Sequence, residues 1–594
     1  MFTVRRVRQG ASPTDEGVRR IARVRALDEL PALDARRYIR AALTASASTA
    51  APPQTRPSFA ADIAAWASGL LLAAPVLALR YPPMGDLPFH ESLVALLRHF
   101  GDPSWQPAGL YARNFGVPNQ LFHLVGWALS LALPTDTACK LVVAASILAT
   151  PPSAARLARH FGTSPWSALL VAPLTLGFAF RWGLVGNVVA LPIVLLSLTA
   201  FDRFAADCTP RRSLAALGLV ILLYLAHESA LVVGVMAITL FAVRADGGAG
   251  RRVARLVPAG VGVALAAFYA VWSRHLKAPS ILSVPDAFGM NPVARLLDTP
   301  NVLFGALPPW ILRGTFALYA VSFAPFVIAR FRSNARSPGG ASLAVRIQRH
   351  RLLLVACACA AAFLAMPLAS GGSTLLYQRF LPVSVALLAV ALAPAGARLW
   401  PIAPVLAAST SLAMLLVALP AFGTADRVFR ELDSVLPLIE RDSAVAQLDL
   451  TPGPVGAVAP IPGAGARALA ERGGRLLFSF TDAPTSPVVV PASRQWNEPV
   501  LRLVRDPLAF SPPNDLRRFR YALVRLAPES RGLAPALVAI MRPEARLAAD
   551  SGEWLLFESA LDRMPLTAPD QLLAVPPTPT LRTRLEALMR RRAP

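Results

Sequence analysis

Charge is scarce in this chain. Only 16% of its 594 residues are Asp, Glu, Lys or Arg, and 55% are hydrophobic. A soluble domain carries about a quarter charged residues, so the shortage, with a mean hydropathy of +0.49, excludes a soluble globular protein and leaves a polytopic membrane protein. Acids are scarcer than bases, 35 Asp and Glu against 59 Lys and Arg. The arginines lie between apolar runs and in the tails, and no basic aromatic face of a soluble domain is present, which argues against nucleic acid as a partner. There are four cysteines. Cys139, Cys357 and Cys359 lie in apolar runs and Cys208 in a basic loop, so neither a disulfide framework nor a cysteine metal site is expected. No apolar run precedes Phe59, so no cleavable signal is expected. The Arg-, Ala-, Ser- and Pro-containing residues 1–58 read as a largely disordered cytoplasmic tail.

Long apolar runs are what the chain does have. Counted against the roughly 20 residues that cross a bilayer, they fall at 60–80, 136–155, 164–181, 184–201, 213–226, 228–243, 256–273, 309–330, 352–369, 380–397 and 400–421. Eleven spans with the N-terminus inside put the basic clusters at Arg156–His160, Arg203–Arg212, Arg244–Arg255 and Arg330–Arg351 on the cytoplasmic side. That orientation requires a hairpin turning at Ala226-His227-Glu228-Ser229, because both flanks of 213–243 are basic. It also requires 118–133, with His123, Trp127 and flanking Pro118 and Pro134, to lie along the interface. Residues 59–422 are then the membrane domain, with a first outer loop over 81–117.

The outer face collects the chemistry. Asp86 and His90 follow the first span, four residues apart in Met84-Gly-Asp-Leu-Pro-Phe-His90. Arg113, Arg181-Trp182, His227-Glu228 and Tyr377-Gln378-Arg379 arrive on the same side. Arginine binds phosphate through a planar fork of N–H groups, and a carboxylate can take the proton of an acceptor hydroxyl. Each residue also has a structural reading. Asp86 before Leu87-Pro88 is good N-cap chemistry; His90, one turn on, can orient Asp86 or pack at the interface. His227-Glu228 can mark a turn, Arg379 can snorkel, and Arg181-Trp182 can be an aromatic-belt pair. Two ligands four apart make no metal site without a third and fourth, so a divalent metal stays a minor alternative and no cofactor is required.

The chain order resembles the GT-C superfamily of membrane glycosyltransferases, of the protein O-mannosyltransferase and lipid A aminoarabinose transferase type. One span, a large outer loop opening on an acidic residue, an interfacial helix and a many-helix bundle lead to an outer domain. Gly85-Asp86-Leu87-Pro88-Phe89-His90 stands where those enzymes carry their first-loop acid. Asn114-Phe-Gly-Val-Pro118-Asn-Gln-Leu-Phe-His-Leu is similar to their Pro-aromatic entry, and Arg379-Phe380-Leu381-Pro382 resembles the basic start of a late span. The resemblance implies a polyprenyl-phosphate sugar donor, an envelope glycan, lipid or protein acceptor, and inverting transfer on the outer face. Asp86 would then be the base with His90 beside it, and Arg379 and Arg181 would hold phosphate. Tyr377, His227, Glu228 and Arg113 complete the expected substrate-binding set. The sequence departs from the family in having a lone Asp86 with His90, where many members show paired acids.

After residue 422 the pattern changes. Ala425–Gln447 reads as a helix, and short apolar runs at Val455–Ala459, Leu476–Phe480, Val488–Val490, Tyr521–Leu526, Val538–Met541 and Trp554–Phe557 read as strands. This segment shows no phosphate loop, nucleophile elbow or zinc spacing. The expected fold class is therefore an α-helical polytopic membrane bundle, GT-C-like, with a C-terminal extracytoplasmic α/β domain over 423–580 and a basic helix over 581–594 that can lie on anionic lipid. Ala/Arg/Pro-rich usage points to a bacterial inner membrane. The alternative function is a non-catalytic lipid or polysaccharide transport or assembly protein on the same scaffold; a transporter would place polar groups at mid-bilayer, as Asn187 within a span does.

Overall fold

A computed structural model of the chain describes residues 59–592 apart from 245–247, 274–289, 306, 335–342, 371–372, 395–401, 451–462 and 563–577. The expected tail, much of the loop over 274–308, Gly371-Gly372 and the strand expected at Val455–Ala459 lie outside the described residues.

Seven helices among the described residues are long and apolar enough to cross a membrane. They are α1 (Phe59–Ala78), α4 (Thr135–His160), α5 (Val185–Ala206), α8 (Ala249–Trp272), α9 (Pro309–Asn334), α10 (Leu343–Ala365) and α12 (Ile402–Val435). At 1.5 Å per residue, 20 apolar residues reach about 30 Å, the thickness of a hydrocarbon core. Shorter helices complete the bundle: α6 (Pro210–Ala226), α7 (Glu228–Ala242) and α11 (Phe380–Leu392). The chain breaks between α6 and α7 at His227, in extended backbone (φ −171°, ψ 141°). The two helices then pack on each other so closely that a carbon on Gly234 would lie 2.7 Å from Leu223 Cδ1, the hairpin that the basic flanks demanded.

Two expectations for the bundle fail. Residues 164–181 do not form one continuous helix but a succession of short turns, Pro165–Ser167, Ala168–Val171, Ala172–Leu176 and Phe178–Trp182. Pro165, Pro173 and Gly177 interrupt the backbone ladder, and the segment is buried among its neighbours. Nor does the chain change character at residue 422. The helix α12 runs unbroken through it for 34 residues, about 50 Å, carrying the membrane layer directly into the outer one.

The outer layer is built on a five-stranded mixed sheet, β3-β2-β5-β7-β6, with β2 (Ala444–Asp449), β3 (Arg475–Leu476), β5 (Tyr521–Arg525), β6 (Ala545–Ser551) and β7 (Trp554–Ser559). The strand β2 runs parallel to β3 and β5, and β7 antiparallel to β5 and β6. Side chains alternate along β5. Tyr521 and Leu523 enter a core shared with Tyr81, Phe89, Leu93, Trp105 and the end of α12, while Ala522 and Val524 enter a second core with Leu537 and Ile540. The helix α2 (Leu87–Arg98) of the first loop thus belongs to the same hydrophobic layer as the C-terminal sheet, which sets both on one side of the bundle. A two-residue pairing reinforces this, since β1 (Ala112–Arg113) is antiparallel to β4 (Val488–Val489).

Three local readings of the outer layer are corrected. The expected helix Ala425–Gln447 stops at Val435, and Ala444–Asp449 is a strand; Pro437 and a left-handed Asp442 (φ 55°) separate them. The expected strand Val538–Met541 ends a helix, α14 (Ala534–Met541), whose Leu537, Ile540 and Met541 are buried at helical spacing behind Pro535. Its β-branched residues had suggested a strand. The basic helix α15 (Leu581–Arg592) is docked rather than free to lie on lipid: Leu581 and Leu585 enter the second core, and Arg584 pairs with Glu544 at 2.9 Å.

Candidate functional site

The backbone of the first loop is pinned to the turn that ends the broken segment. Gly85 N–H donates to Arg181 O at 3.0 Å and Asp86 N–H to Trp182 O at 3.1 Å. This close approach explains Gly183, which has φ +77° and no room for a side chain; a Cβ there would fall 2.4 Å from Asp86 N. A Cβ on Gly463 would meet Gly85 O at 2.5 Å, so the C-terminal domain presses on the same loop.

Asp86 does occupy the N-cap position of α2, yet its side chain makes no capping bond. Among the described residues its carboxylate has neither a hydrogen bond nor an ion pair. Burial pushes it up to about 7, against the pull of the Arg379 guanidinium. A carboxylate that is uncapped, half-buried and balanced near neutrality can exchange a proton under physiological conditions. His90 lies one turn on, its N–H donating to Asp86 O at 3.2 Å. Its Nδ1 stands 2.9 Å from Nε2 of His123. Burial, and next the imidazole of His123, hold His90 well below the usual histidine range, so it is neutral. His123 had been read only as an interfacial anchor on α3 (Leu121–Ser130); its side chain is instead buried against the site.

Arg379, at the start of α11, reaches across to the α6–α7 break. Its Nη1 lies against His227 Nε2, and Nη2 donates to Thr374 O at 2.8 Å. Ser229 N–H donates to His227 Nδ1 at 3.0 Å, and Ser229 Oγ stands 2.8 Å from the same nitrogen. The imidazole is thus held between Ser229 and the Arg379 guanidinium. The network continues through Ser229 Oγ to Asn187 Nδ2 at 3.1 Å.

Below this point opens a pocket of about 520 Å³ including its mouth. It is lined by apolar residues such as Ile147, Leu174, Phe178 and Val383, with Asn187, Gln378, Arg379 and two threonines, Thr150 and Thr175, as its polar members. Among the described residues, Arg379 Nε, Gln378 Oε1 and Asn187 Oδ1 are buried without a partner, as are Nε and Nη2 of the neighbouring Arg181. Arg181 is only 5% exposed. A guanidinium so enclosed and unpaired is costly, and the aromatic-belt reading does not account for it. Gln378, beside Arg379 in the sequence, was missed; a polar residue at the entry of an apolar run was its only signal.

The remaining expected members are distributed differently. Tyr377 is buried beneath the Arg295 guanidinium, 4.1 Å from its ring centroid, and Arg295 donates to carbonyls at the end of α10, including Met366 O at 2.7 Å. That places Tyr377 in a helix-end staple beside the pocket. Glu228 begins α7, its N–H held by Asn119 Oδ1 at 3.1 Å, and its charge acts on Arg379. Arg113 is exposed on β1 over the Phe100 ring, 4.5 Å from the centroid, and makes no hydrogen bond or ion pair among the described residues. No group of three or more His, Cys, Asp or Glu side chains stands in metal-holding geometry among the described residues.

No protein-family model matches the chain, and no curated protein matches it. Among solved structures the chain is similar to ArnT from Cupriavidus metallidurans in the apo state, at 12% identity and a TM-score of 0.47 over 83% of this chain and 96% of that one. It is similar also to the same protein bound to undecaprenyl phosphate, at 14% identity and 0.49 over 85% and 98%. The Archaeoglobus fulgidus oligosaccharyltransferase complex with Zn and sulfate is similar at 12% identity and 0.37 over 80% of this chain and 69% of that one.

Proposed function

We propose that this protein is an integral-membrane glycosyltransferase that moves a sugar from a polyprenyl-phosphate donor to a hydroxyl of an envelope acceptor. The observation that carries the reading is the Arg379 guanidinium, which lines an apolar pocket and stands in electrostatic reach of an uncapped Asp86. An apolar chain with an anionic head fits the pocket and the guanidinium together. Arg181, buried and unpaired, supplies a second cation for the same phosphate.

In the transfer, Asp86 accepts the proton of the acceptor hydroxyl as its oxygen bonds to the anomeric carbon. The bond from that carbon to the phosphate oxygen breaks, and the electron pair leaves with the polyprenyl phosphate. Attack from the side opposite the leaving group inverts the anomeric centre. Arg379, His227 and Arg181 stabilise the charge that develops on the phosphate, in a dry site where fixed donors count most. His90, neutral and braced by His123, holds the turn that presents Asp86. The GT-C-like chain order points the same way.

The test compares membranes carrying wild-type protein with membranes carrying Asp86→Asn at matched expression, given labelled polyprenyl-phosphate sugars and total envelope lipid. Release of label in the wild type and its loss in the variant is the expected result, with a fall of about 10²–10⁴ for removal of a general base. Equal release in both removes Asp86 from the reaction. No release above empty membranes in either favours the transport or assembly reading.

A further inference from the structure

Between α8 and α9 the chain runs through two short helices, Pro292–Leu297 and Thr299–Phe304. The first of them is built inside out. Its one charged residue, Arg295, is only 2% exposed, while Val293, Leu296 and Leu297 all stand outward, Leu297 at 78%. Met290, just before the helix, is exposed with them. A helix in water does the reverse, turning its charge to solvent and its apolar stripe to the core. The arrangement is unfavourable against water and natural against hydrocarbon.

The flanks say what covers this face. The span α8 ends at Trp272 and α9 begins at Pro309-Trp310, and both tryptophans are exposed. Exposed tryptophan at the end of a span marks the headgroup level of a bilayer. Phe268 and Val271 on α8 and Val321 on α9 continue the exposed apolar surface down the spans. In space the helix is tied to the end of a third span. Arg295 Nη1 donates to Phe363 O at 3.1 Å, Leu364 O at 2.9 Å and Met366 O at 2.7 Å, where α10 stops. Span ends therefore border the helix along the chain and across it, and its apolar face is continuous with the lipid-facing surface.

The inward side of the same segment touches the candidate site at two places. The Arg295 guanidinium covers the Tyr377 ring, two residues before Arg379. At the far end Gly305, with φ +79°, lies against Arg181 so closely that a Cβ would fall 2.3 Å from Arg181 Cδ. Val302, Leu303 and Phe304 are buried between these contacts.

We propose that Pro292–Leu297 is a lipid-docking helix, which sets Met290, Val293, Leu296 and Leu297 among acyl chains at the bilayer surface. Docked there, the segment holds Arg181 and the turn carrying Arg379 in place. The lipid contact stands on its own; its service to those arginines rests on the transferase reading above.

The experiment is photolabelling of the full-length protein in phosphatidylcholine nanodiscs that include a lipid with a diazirine on one acyl chain, read by mass spectrometry of the digest. Label should fall on 290–297 as it does on the exposed face of α8. Leu438, Leu533 and Leu547, exposed leucines of the C-terminal domain, should carry none. Equal label on 290–297 and on those leucines overturns the proposal, because the face is then covered by protein. The double variant Leu296→Glu, Leu297→Glu should lose the label and lower kcat/KM for the polyprenyl donor by about 10²-fold, as misplacement of binding groups does. Label lost with transfer unchanged would remove the link to the arginines. Should the double variant unfold, Leu297→Ser alone is read in the same two assays. Failure of the transferase reading would show separately, as absent label release from the donor beside intact photolabelling of 290–297.

Discussion

Two buried polar clusters sit at opposite ends of α4 and α5, and they differ in how completely they are paired. At the end away from the outer domain, Asp202 receives Arg351 through both oxygens at 2.6 and 2.8 Å and His160 at 2.8 Å. Arg244 stands at 3.9 Å, and Arg351 also covers the Phe161 ring. This carboxylate is saturated, and it ties α4, α5 and α10 together. At the other end, among the described residues, the Asp86 carboxylate has no hydrogen bond or ion pair, and Arg181 has two buried nitrogens and Arg379 one without a partner. Buried polar groups are satisfied wherever a chain is free to satisfy them. The saturated cluster is therefore a staple, and the unsaturated one has the character of a site.

The largest effects should separate these two clusters in opposite senses. Arg379→Gln should cut transfer by about 10²–10³, the usual cost of one transition-state donor, while thermal unfolding in detergent stays close to wild type. Asp202→Asn should do the reverse, costing about 3 kcal/mol of stability because Arg351 is left buried without its counter-charge. If Arg379→Gln proves the more destabilising of the two, the contrast collapses. A related staple ties the first loop to the C-terminal domain: Arg467, 3% exposed, pairs with Glu91 at 3.2 Å and also contacts Asp433 and Glu471. Arg467→Leu should therefore lower the melting temperature by an amount equivalent to about 3–5 kcal/mol, read by tryptophan fluorescence of the outer layer.

A subtler break leaves every charge in place. Gly183→Ala forces a methyl group against the Asp86 backbone, so transfer should fall about 10²-fold through misplacement of the base. Gly218→Ala, with open space around it, should change nothing in the same assay. The pH profile sharpens the contrast further. Asp86 must be ionised to accept a proton, and burial holds it at about 7. The transfer rate should then rise about tenfold per pH unit below 7 and level off above it; a flat profile from pH 5 to 8 would exclude Asp86 as the base. The smallest effect belongs to Arg113→Ala. Its side chain is exposed over Phe100, and stability should move by no more than about 0.5 kcal/mol, with donor use unchanged.

Much of the bundle was legible because apolar runs of bilayer length leave few alternatives, and the hairpin at His227 followed from basic residues on both its flanks. The breaks within 164–181 were not legible, since a run of apolar residues has the same composition whether it forms one helix or several short turns. In the outer layer Val538–Met541 and Ala444–Asp449 were assigned the wrong periods; both are short, and burial against neighbours decided them. Asp86 could be singled out from its place after the first span. The role of His123 could not, because it is an ordinary polar residue until another segment is folded against it.

The sequence by itself determined a multi-span membrane protein with a C-terminal α/β layer, and it marked the loop and helix ends where ionisable residues gather. Hydropathy and helix length are local quantities, readable along one dimension. The tertiary structure alone decided that Arg379 meets His227 across 152 residues, that Gly183 seats Asp86, and that the first loop shares its core with the C-terminal sheet. Those are pairings between segments, and only packing of the whole chain brings them together.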